Sequence, residues 1–317
     1  MAHYASILDL IGNTPLVDIS QLSPNPTTRI LAKLEAQNPG GSVKDRVALS
    51  MVQTAEKEGT IVPDTGQVIV ESSSGNTGIG LAMIAKVRGY TLKVVLPENV
   101  SEERKQLLRI WGAEIIPSPG SEGSNGAMRR AQDLAAAHDD WWFPFQYGNH
   151  ANVQAHLEGT GPEIWRDCPE VTHLVAGLGT SGTLIGVGTF LKRQNPDVQV
   201  WAIEPPAGEM VDGLKNFDEG FVPPIFDDYN GADLLDRKKI VRPRESLEWT
   251  RRLIDVGVFA GISSGAVVAG AHQCAEAVDN AVIVVVLPDG GWKYLSTGAW
   301  TDDLGEVVER AKRTMYF

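Results

Sequence analysis

The stretch QVIVESSSGNTG, residues 67–78, together with the apolar run that continues it to Gly89, decides the fold of this 317-residue chain. Its β-branched start predicts a buried strand over 67–71, and a helical pattern follows from Thr77 to Val87. A strand that passes through a Ser/Gly loop into a helix is the building unit of a parallel α/β sheet. The loop also points consecutive backbone N–H groups at one place, where they favour an anion.

The same unit recurs along the chain. Further strands are predicted over 91–96, 113–116, 141–145, 172–176, 198–204 and 281–287. Helices are predicted between Ser101, as a cap, and Gly112, and over 124–138, 183–193 and 264–278. Strand–helix alternation predicts an α/β fold of doubly wound, mainly parallel sheets. Residues 205–244 interrupt it with prolines, acids and aromatics, and an insertion of that kind is more often functional than idle.

A second glycine loop, GLGTSGT at 177–183, follows the predicted strand at 172–176. It does not end in Gly-Lys-Ser/Thr, so it is not a nucleotide P-loop, and it lacks the full GxGxxG spacing. A phosphate monoester held by Gly179, Thr180, Ser181, Gly182 and Thr183 is the better prediction. A tight turn is the alternative for one such loop considered alone.

Lys44 lies at a predicted loop-to-helix junction, in the segment NPGGSVKDR at 38–46. A cation at the positive end of a helix opposes the helix dipole, so this position needs a reason other than surface solvation. As an imine, or as an amine kept neutral by its surroundings, the lysine would bear a smaller cost. The residues therefore indicate covalent imine chemistry next to an anion site.

Composition excludes several other functions. The net charge of −12, without a basic stripe, argues against nucleic-acid binding but allows a local basic pocket. Cys168 and Cys274 are too few for a disulfide framework, which favours the cytoplasm. The start of the chain does not resemble a secretory signal, and the longest apolar run, 281–287, is too short to span a bilayer. His150 and His156 are the closest pair of histidines and lack a ligand constellation, so no metal is predicted.

Four ordered motifs, GSVKDR (41–46), SSSGNTG (72–78), GLGTSGT (177–183) and GISSGA (261–266), resemble the pyridoxal-phosphate (PLP) β-replacement enzymes of the tryptophan-synthase β type. Within that fold type II group the chain is most similar to the cysteine synthases, or O-acylserine sulfhydrylases. The segments EGSNGAM (122–128) and QYGN (146–149) most resemble the actinobacterial cysteine synthase B group, which uses O-phosphoserine and a sulfur-carrier protein with a Gly-Gly C-terminus.

The resemblance implies a two-lobed molecule and a homodimer. Residues 42–152 would form a smaller, mobile lobe with the substrate-carboxylate loop. Residues 1–41 and 153–317 would form a larger lobe with the phosphate and pyridine sites.

The resemblance also implies roles for individual residues. Lys44 would form the internal aldimine with PLP, remove the Cα proton and return it. Asn76 would donate to the 3′-oxygen of PLP, and Ser263 would face its pyridine nitrogen, with Ser264 as the alternative. The substrate carboxylate would be bound by Ser73, Ser74, Thr77 and Gln146. One of the serines at 73 and 74 is also expected to cap the following helix.

The implied product is L-cysteine, formed from O-phospho-L-serine, or from O-acetyl-L-serine, through an α-aminoacrylate. Lys215 would contact the leaving phosphate, with a solvated loop lysine as the alternative. A serine or threonine dehydratase and a cystathionine β-synthase core share the same motifs, and a non-catalytic binding protein is the remaining class. The apolar tail Arg313–Phe317 could act as a lid, a disordered end or a dimer contact.

Overall fold

A computed structural model of the chain describes residues 3–73, 75–218 and 221–311. In chain order the strands are β1 (Leu16–Asp18), β2 (Arg29–Leu34), β3 (Val68–Glu71), β4 (Thr91–Pro97), β5 (Glu114–Ser118), β6 (His173–Gly177), β7 (Gln199–Glu204), β8 (Arg237–Ile240) and β9 (Val282–Leu287). The helices are α1 (Lys44–Lys57), α2 (Asn76–Arg88), α3 (Glu102–Ile110), α4 (Gly123–Ala136), α5 (His150–Ala155), α6 (Gly161–Asp167), α7 (Gly182–Gln194), α8 (Pro224–Asp228), α9 (Gly231–Leu234), α10 (Pro243–Asp255), α11 (Ile262–Ala275) and α12 (Leu304–Ala311).

Two sheets organise these elements. The larger has the strand order β1-β2-β9-β6-β7-β8, and the smaller has the order β3-β4-β5. All neighbouring strands are parallel except β1 and β2, which are antiparallel with Leu16 opposite Lys33. The predicted α/β class with mainly parallel sheets is confirmed.

Both faces of the larger sheet are buried. In β9, Ile283 and Val285 pack with α10 and α11, whereas Val284 and Val286 pack with α6 and α7. A strand covered on both faces requires a continuous apolar run, which is what the sequence of β9 supplies. Burial of each such side chain contributes roughly 1.5–3 kcal/mol to the free energy of unfolding.

The smaller sheet is covered in the same way. Val94 of β4 packs into a cluster with α1 and α2, whereas its neighbour Val95 packs against Ala127 and Ala131 of α4. Because all three strands are parallel, Ser72 and Ser73 follow β3 at the carboxyl end that it shares with β4 and β5.

The chain leaves β3 through residues 72–73, β6 through residues 178–181 and β9 through residues 288–290, in each case at the carboxyl end of the strand. In open parallel sheets such ends are the usual place for a ligand, because loops and helix N-termini gather there. These three segments are therefore the expected location of a ligand site.

The predicted strand at 141–145 is wrong. Only Trp142 pairs, through an isolated parallel bridge to Ile69 of β3. Pro144 has no backbone N–H to donate, and Phe145 adopts a left-handed φ of 47°. These two residues prevent a strand from continuing.

Of the expected serine caps, the one at α2 is wrong, whereas Ser101 is the N-cap residue of α3. Within the described residues the Ser101 side chain makes no capping hydrogen bond. The N-cap of α2 is Gly75, and the N-cap of α11 is Gly261, so Ser264 lies inside the helix. The insertion at 205–244 holds more regular structure than expected, namely α8, α9 and β8.

Candidate active site

A cavity of about 290 Å³ opens where the loops after β3, β6 and β9 meet the segment 210–215. Most of the predicted site residues line it: Lys44, Ser73, Asn76, Thr77, Gln146, Gly179, Thr180, Ser181, Thr183, Lys215 and Ser263. Gly182 belongs to the same loop but does not line the cavity, and Ser74 lies outside the described residues. Residues far apart in sequence thus converge on one space.

Lys44 is the first residue of α1. Within the described residues its Nζ has no hydrogen-bond or ion-pair partner, so the amine is available to contact a ligand in the cavity. Burial lowers the pKa of Lys44 to about 8, although the charges of Asp289 and Glu35 act to raise it. An amine of lowered pKa at a cavity wall has the character of a nucleophile and a proton acceptor.

A buried network of charged side chains surrounds Arg46, two residues after Lys44, and the sequence analysis did not predict it. Arg46 Nε contacts Glu35 Oε2 at 2.7 Å, and Arg46 Nη1 contacts Glu163 Oε1 at 2.7 Å. Lys33 Nζ lies 2.7 Å from Glu163 Oε2. Burial alone would raise the pKa of Glu163, but hydrogen bonds and charges from Arg46 and Lys33 lower it to about 2. Two cations therefore balance two anions at the first turn of α1.

The loop at 177–183 presents the N-terminus of α7 to the cavity. Ser181 has a left-handed φ of 70°, and within the described residues its side chain does not cap the helix. Gly182 N–H donates to Thr180 Oγ1 at 3.4 Å. The next N–H groups in the first turn of α7 have no acceptor within the helix and are available to an anion. A Cβ on Gly182 would lie 2.1 Å from Asn152 Oδ1, so only glycine allows this close packing of the loop.

The buried side chain of His156 contacts the same loop through Thr183. Its Nε2 lies 3.2 Å from Thr183 Oγ1, and its Nδ1 lies 2.9 Å from Thr160 Oγ1. Burial lowers the pKa of His156 well below its ordinary value, and the charges of Lys44 and Arg46 lower it further. The ring is therefore neutral and positions the Thr183 hydroxyl. No local pattern indicates this role, because His156 lies 27 residues from Thr183 along the chain.

The loop after β3 is tied to a second segment of the cavity wall. Thr77 Oγ1 donates to Gln146 Oε1 at 2.6 Å, and Asn152 Nδ2 donates to the Gln146 carbonyl at 2.8 Å. A Cβ on Gly78 would lie 2.1 Å from the Ser73 carbonyl oxygen, so the loop folds tightly over the start of α2. Hydroxyl and amide groups of both segments thereby face one side of the cavity.

Ser263 and Ser264 are adjacent in the first turn of α11 but have different surroundings. Ser263 lines the cavity. Ser264 is fully buried, and its Oγ has no hydrogen-bond partner within the described part of the chain. Of the two candidates that the sequence left open, Ser263 is the one at the cavity surface.

Asn76 contacts two charged residues that the sequence analysis did not single out. Its Nδ2 donates to Asp289 Oδ2 at 2.7 Å, and its Oδ1 accepts from Lys293 Nζ at 2.7 Å. Tyr294 Oη also donates to Asp289 Oδ2, at 2.7 Å. Asp289, Lys293 and Tyr294 lie in the segment 289–298, to which the sequence analysis assigned no role.

Lys215 also lines the cavity, next to two aromatic rings. Its Nζ is 4.3 Å from the ring centroid of Tyr147 and 5.3 Å from that of Phe221. Burial lowers the pKa of Lys215, and within the described residues no carboxylate pairs with it. Asp212 also lines the cavity, and burial raises its pKa to about 7, with Asp289 adding to the rise and Arg104 opposing it.

No helix within residues 3–73, 75–218 and 221–311 is long and apolar enough to cross a membrane. The same ranges contain no group of three or more His, Cys, Asp or Glu side chains arranged to hold a metal ion. The tail Arg313–Phe317 lies outside the described residues.

Comparisons with known proteins converge on one group. The family model described as "Pyridoxal-phosphate dependent enzyme" matches residues 7–289. Cysteine synthase B of Escherichia coli (strain K12) is 40% identical over 295 residues, covering 92% of this chain and 95% of that protein. Cysteine synthase B of Pseudomonas aeruginosa is 40% identical over 299 residues, covering 94% of this chain and 98% of that protein.

Solved structures of similar proteins have the same fold. The crystal structure of O-ureido-L-serine synthase superimposes with a TM-score of 0.88 at 39% identity, covering 94% of this chain and 96% of that one. The crystal structure of cysteine synthase from Entamoeba histolytica gives a TM-score of 0.87 at 32% identity, covering 97% and 96% of the two chains.

Proposed function

Because this chain belongs to the pyridoxal-phosphate dependent enzymes, and within them to the cysteine synthases, we propose that it makes L-cysteine by β-replacement on an O-activated L-serine. It is an enzyme that uses PLP in cysteine biosynthesis. The observation that carries the proposal is the Lys44 amine, which has no partner in the described chain and faces the same cavity as the N-terminus of α7.

The cavity residues fit PLP. The N–H groups and hydroxyls of the loop at 179–183 suit a phosphate dianion: Gly179, Thr180, Ser181, Gly182 and Thr183 would hold it. The Asn76 amide would donate to the 3′-oxygen. When bound, PLP supplies a carbonyl carbon that condenses with amines and a conjugated ring that accepts electron density from the substrate Cα.

Ser263 would be the partner of the pyridine nitrogen. A hydroxyl leaves that nitrogen unprotonated, whereas a carboxylate would hold a proton there and make the ring a stronger electron acceptor. The weaker acceptor suits loss of a β-substituent over transamination. The position of Ser263 at the cavity surface, in contrast to buried Ser264, supports this role.

Lys44 would be the acid–base group of the reaction. Its Nζ removes the proton from the substrate Cα and later returns a proton to the same carbon after sulfur has added at Cβ. A pKa of about 8 supports this use, because a substantial fraction of the amine is neutral near that pH. The buried network around Arg46 fixes the helical turn from which Lys44 projects.

The substrate carboxylate would be bound at the N-terminus of α2. Ser73, Thr77 and Gln146 line the cavity at this end, and the hydrogen bond from Thr77 to Gln146 holds two of them together. Ser74, predicted for the same role, lies outside the described residues. Backbone N–H groups at a helix start add a favourable field for the carboxylate.

The leaving group is proposed to be phosphate first and acetate second. Lys215 is a cation at the cavity wall without a carboxylate partner in the described chain, which supports contact with a dianionic leaving group. Lysine offers a point charge where an arginine would bind two oxygens at once, so selectivity for phosphate would be modest. The proposed sulfur donor is a carrier protein ending in a thiocarboxylate, with sulfide as the alternative.

The first experiment tests Lys44. The purified protein should be yellow, and borohydride should fix the chromophore on the peptide that contains Lys44. Lys44→Ala should lower cysteine formation on the order of 10³-fold or more, whereas Lys86→Met, on the exposed face of α2, should leave it unchanged. A colourless protein, or release of an oxo acid in place of cysteine when sulfide is present, would contradict the proposal.

The second experiment tests Lys215. Lys215→Ala should lower kcat/KM for O-phosphoserine about ten- to hundredfold, the value of a charge-assisted hydrogen bond, and change O-acetylserine turnover little. Lys215→Arg should restore turnover of the phosphate ester. Equal losses on both esters would exclude a specific phosphate contact.

Location and assembly are further parts of the proposal. Both cysteines are free and buried, which supports a reducing cytoplasm. A homodimer is proposed from the resemblance, and light scattering of the purified chain measures it directly.

A further inference from the structure

The side-chain amide of Asn76 is held between two opposite charges. Asp289 Oδ2 accepts from Nδ2, and Lys293 Nζ donates to Oδ1, both at 2.7 Å. A carboxylate can only accept, and an ammonium can only donate. Rotating the amide by 180° would set two acceptors against each other and two donors against each other. These two partners therefore specify one orientation of Asn76.

The two charged residues are themselves fixed. Asp289 is 1% exposed and accepts a second hydrogen bond from Tyr294 Oη. Lys293 Nζ also donates to the Gly40 carbonyl at 3.0 Å. A Cβ on Gly261 would lie 2.1 Å from Asp289 Oδ1, so backbone packs directly against the carboxylate. Side chains held this way can orient a third with little freedom.

Neither Asp289 nor Lys293 lines the cavity, whereas Asn76 does. An amide nitrogen carries two hydrogens, and Asp289 takes one of them. We propose that Asp289 and Lys293 are positioning residues that orient the Asn76 amide so that its second N–H is presented to the 3′-oxygen of PLP. This inference rests on the proposed function, because it assumes that PLP occupies the cavity.

A purely structural tie between α2 and the segment after β9 would use the same hydrogen bonds. The two roles differ in how substitutions combine. If Lys293 acts on PLP through Asn76, its effect on PLP affinity must disappear once Asn76 is gone. If Lys293 only stabilises the fold, the two effects on PLP affinity must multiply.

The experiment is a double-mutant cycle on the full-length chain. Wild type, Asn76→Ala, Lys293→Met and the double variant are freed of cofactor with hydroxylamine and titrated with PLP, and binding is followed by visible absorbance. Each single substitution should raise the Kd for PLP on the order of tenfold, because it removes one hydrogen bond to a charged or oriented group. The double variant should agree with the single variants within about twofold, and the control Lys86→Met should match wild type.

The outcomes separate the two proposals. If the wild type does not bind PLP, the proposed function fails and the positioning role fails with it. If the wild type binds but Lys293→Met has no effect, or the double variant loses affinity about a hundredfold, only the positioning role is overturned. Should Lys293→Met not unfold cooperatively, Lys293→Gln, which keeps a donor, takes its place in the same cycle. The Kd of Lys293→Gln for PLP should then lie between those of wild type and Asn76→Ala. In the Asn76→Ala background, Lys293→Gln should leave the Kd equal to that of Asn76→Ala.

Discussion

Glu71, the last residue of β3, makes a prediction that links stability to pH. Its side chain is 2% exposed, and Oε1 accepts the Ser72 N–H at 2.8 Å. Oε2 has no hydrogen-bond partner within the described residues. Burial raises the pKa of Glu71 to about 7, although backbone N–H groups of Ser72, Gln146 and Phe145 act to lower it.

The magnitude follows from the two pKa values. A change of one in pKa corresponds to about 1.4 kcal/mol, so a rise from 4.5 to about 7 corresponds to roughly 3 kcal/mol. The folded state binds this proton more tightly than the unfolded state does. The stabilisation is therefore complete below the unfolded pKa of 4.5 and is lost as the pH rises through about 7.

Glu71→Gln removes this titration while keeping the shape of the side chain. The free energy of unfolding of the variant minus that of the wild type should rise by roughly 3 kcal/mol from pH 4.5 to pH 8, because only the wild type loses this stabilisation. Urea unfolding of both proteins at several pH values in that range measures the difference. Glu58→Gln, at an exposed position after α1, is the control for the loss of one surface carboxylate. A flat difference for Glu71→Gln, or one that falls with pH, would refute the reasoning.

Three further predictions concern other parts of the molecule. Arg46→Met leaves two buried glutamates with one cation and should lower the free energy of unfolding by about 3–5 kcal/mol, measured by urea unfolding; a loss below about 1 kcal/mol would contradict a tightly coupled network. Gly182→Ala places a Cβ 2.1 Å from a neighbouring side-chain oxygen and should weaken PLP binding, whereas Gly120→Ala, which meets only a flexible side chain at 3.2 Å, should match wild type in the same titration. Burial raises the pKa of Cys168 to about 11 and that of Cys274 to about 12, so iodoacetamide at pH 8 should label both only after unfolding, and rapid labelling of the native protein would show that they are accessible.

Local sequence was sufficient for much of the fold. The strands of the smaller sheet and β6, β7 and β9 have apolar runs between glycine loops, and that pattern depends only on neighbouring residues. The strands that the sequence analysis missed lack it. β8 is basic and mostly exposed, and β2 contains Lys33, whose burial makes sense only beside Glu163. β1 has just three residues and pairs at the edge of the sheet.

The sequence by itself determined the α/β class, and it predicted a site formed by Lys44 and two glycine loops, because turns and helix starts depend on consecutive residues. Only the tertiary structure decided which partners surround them. Asp289 lies 213 residues from Asn76, and Glu163 lies 117 residues from Arg46. Buried charges of this kind are tolerated only when folding brings the opposite charge to hydrogen-bond distance, and no local pattern records which residue that will be.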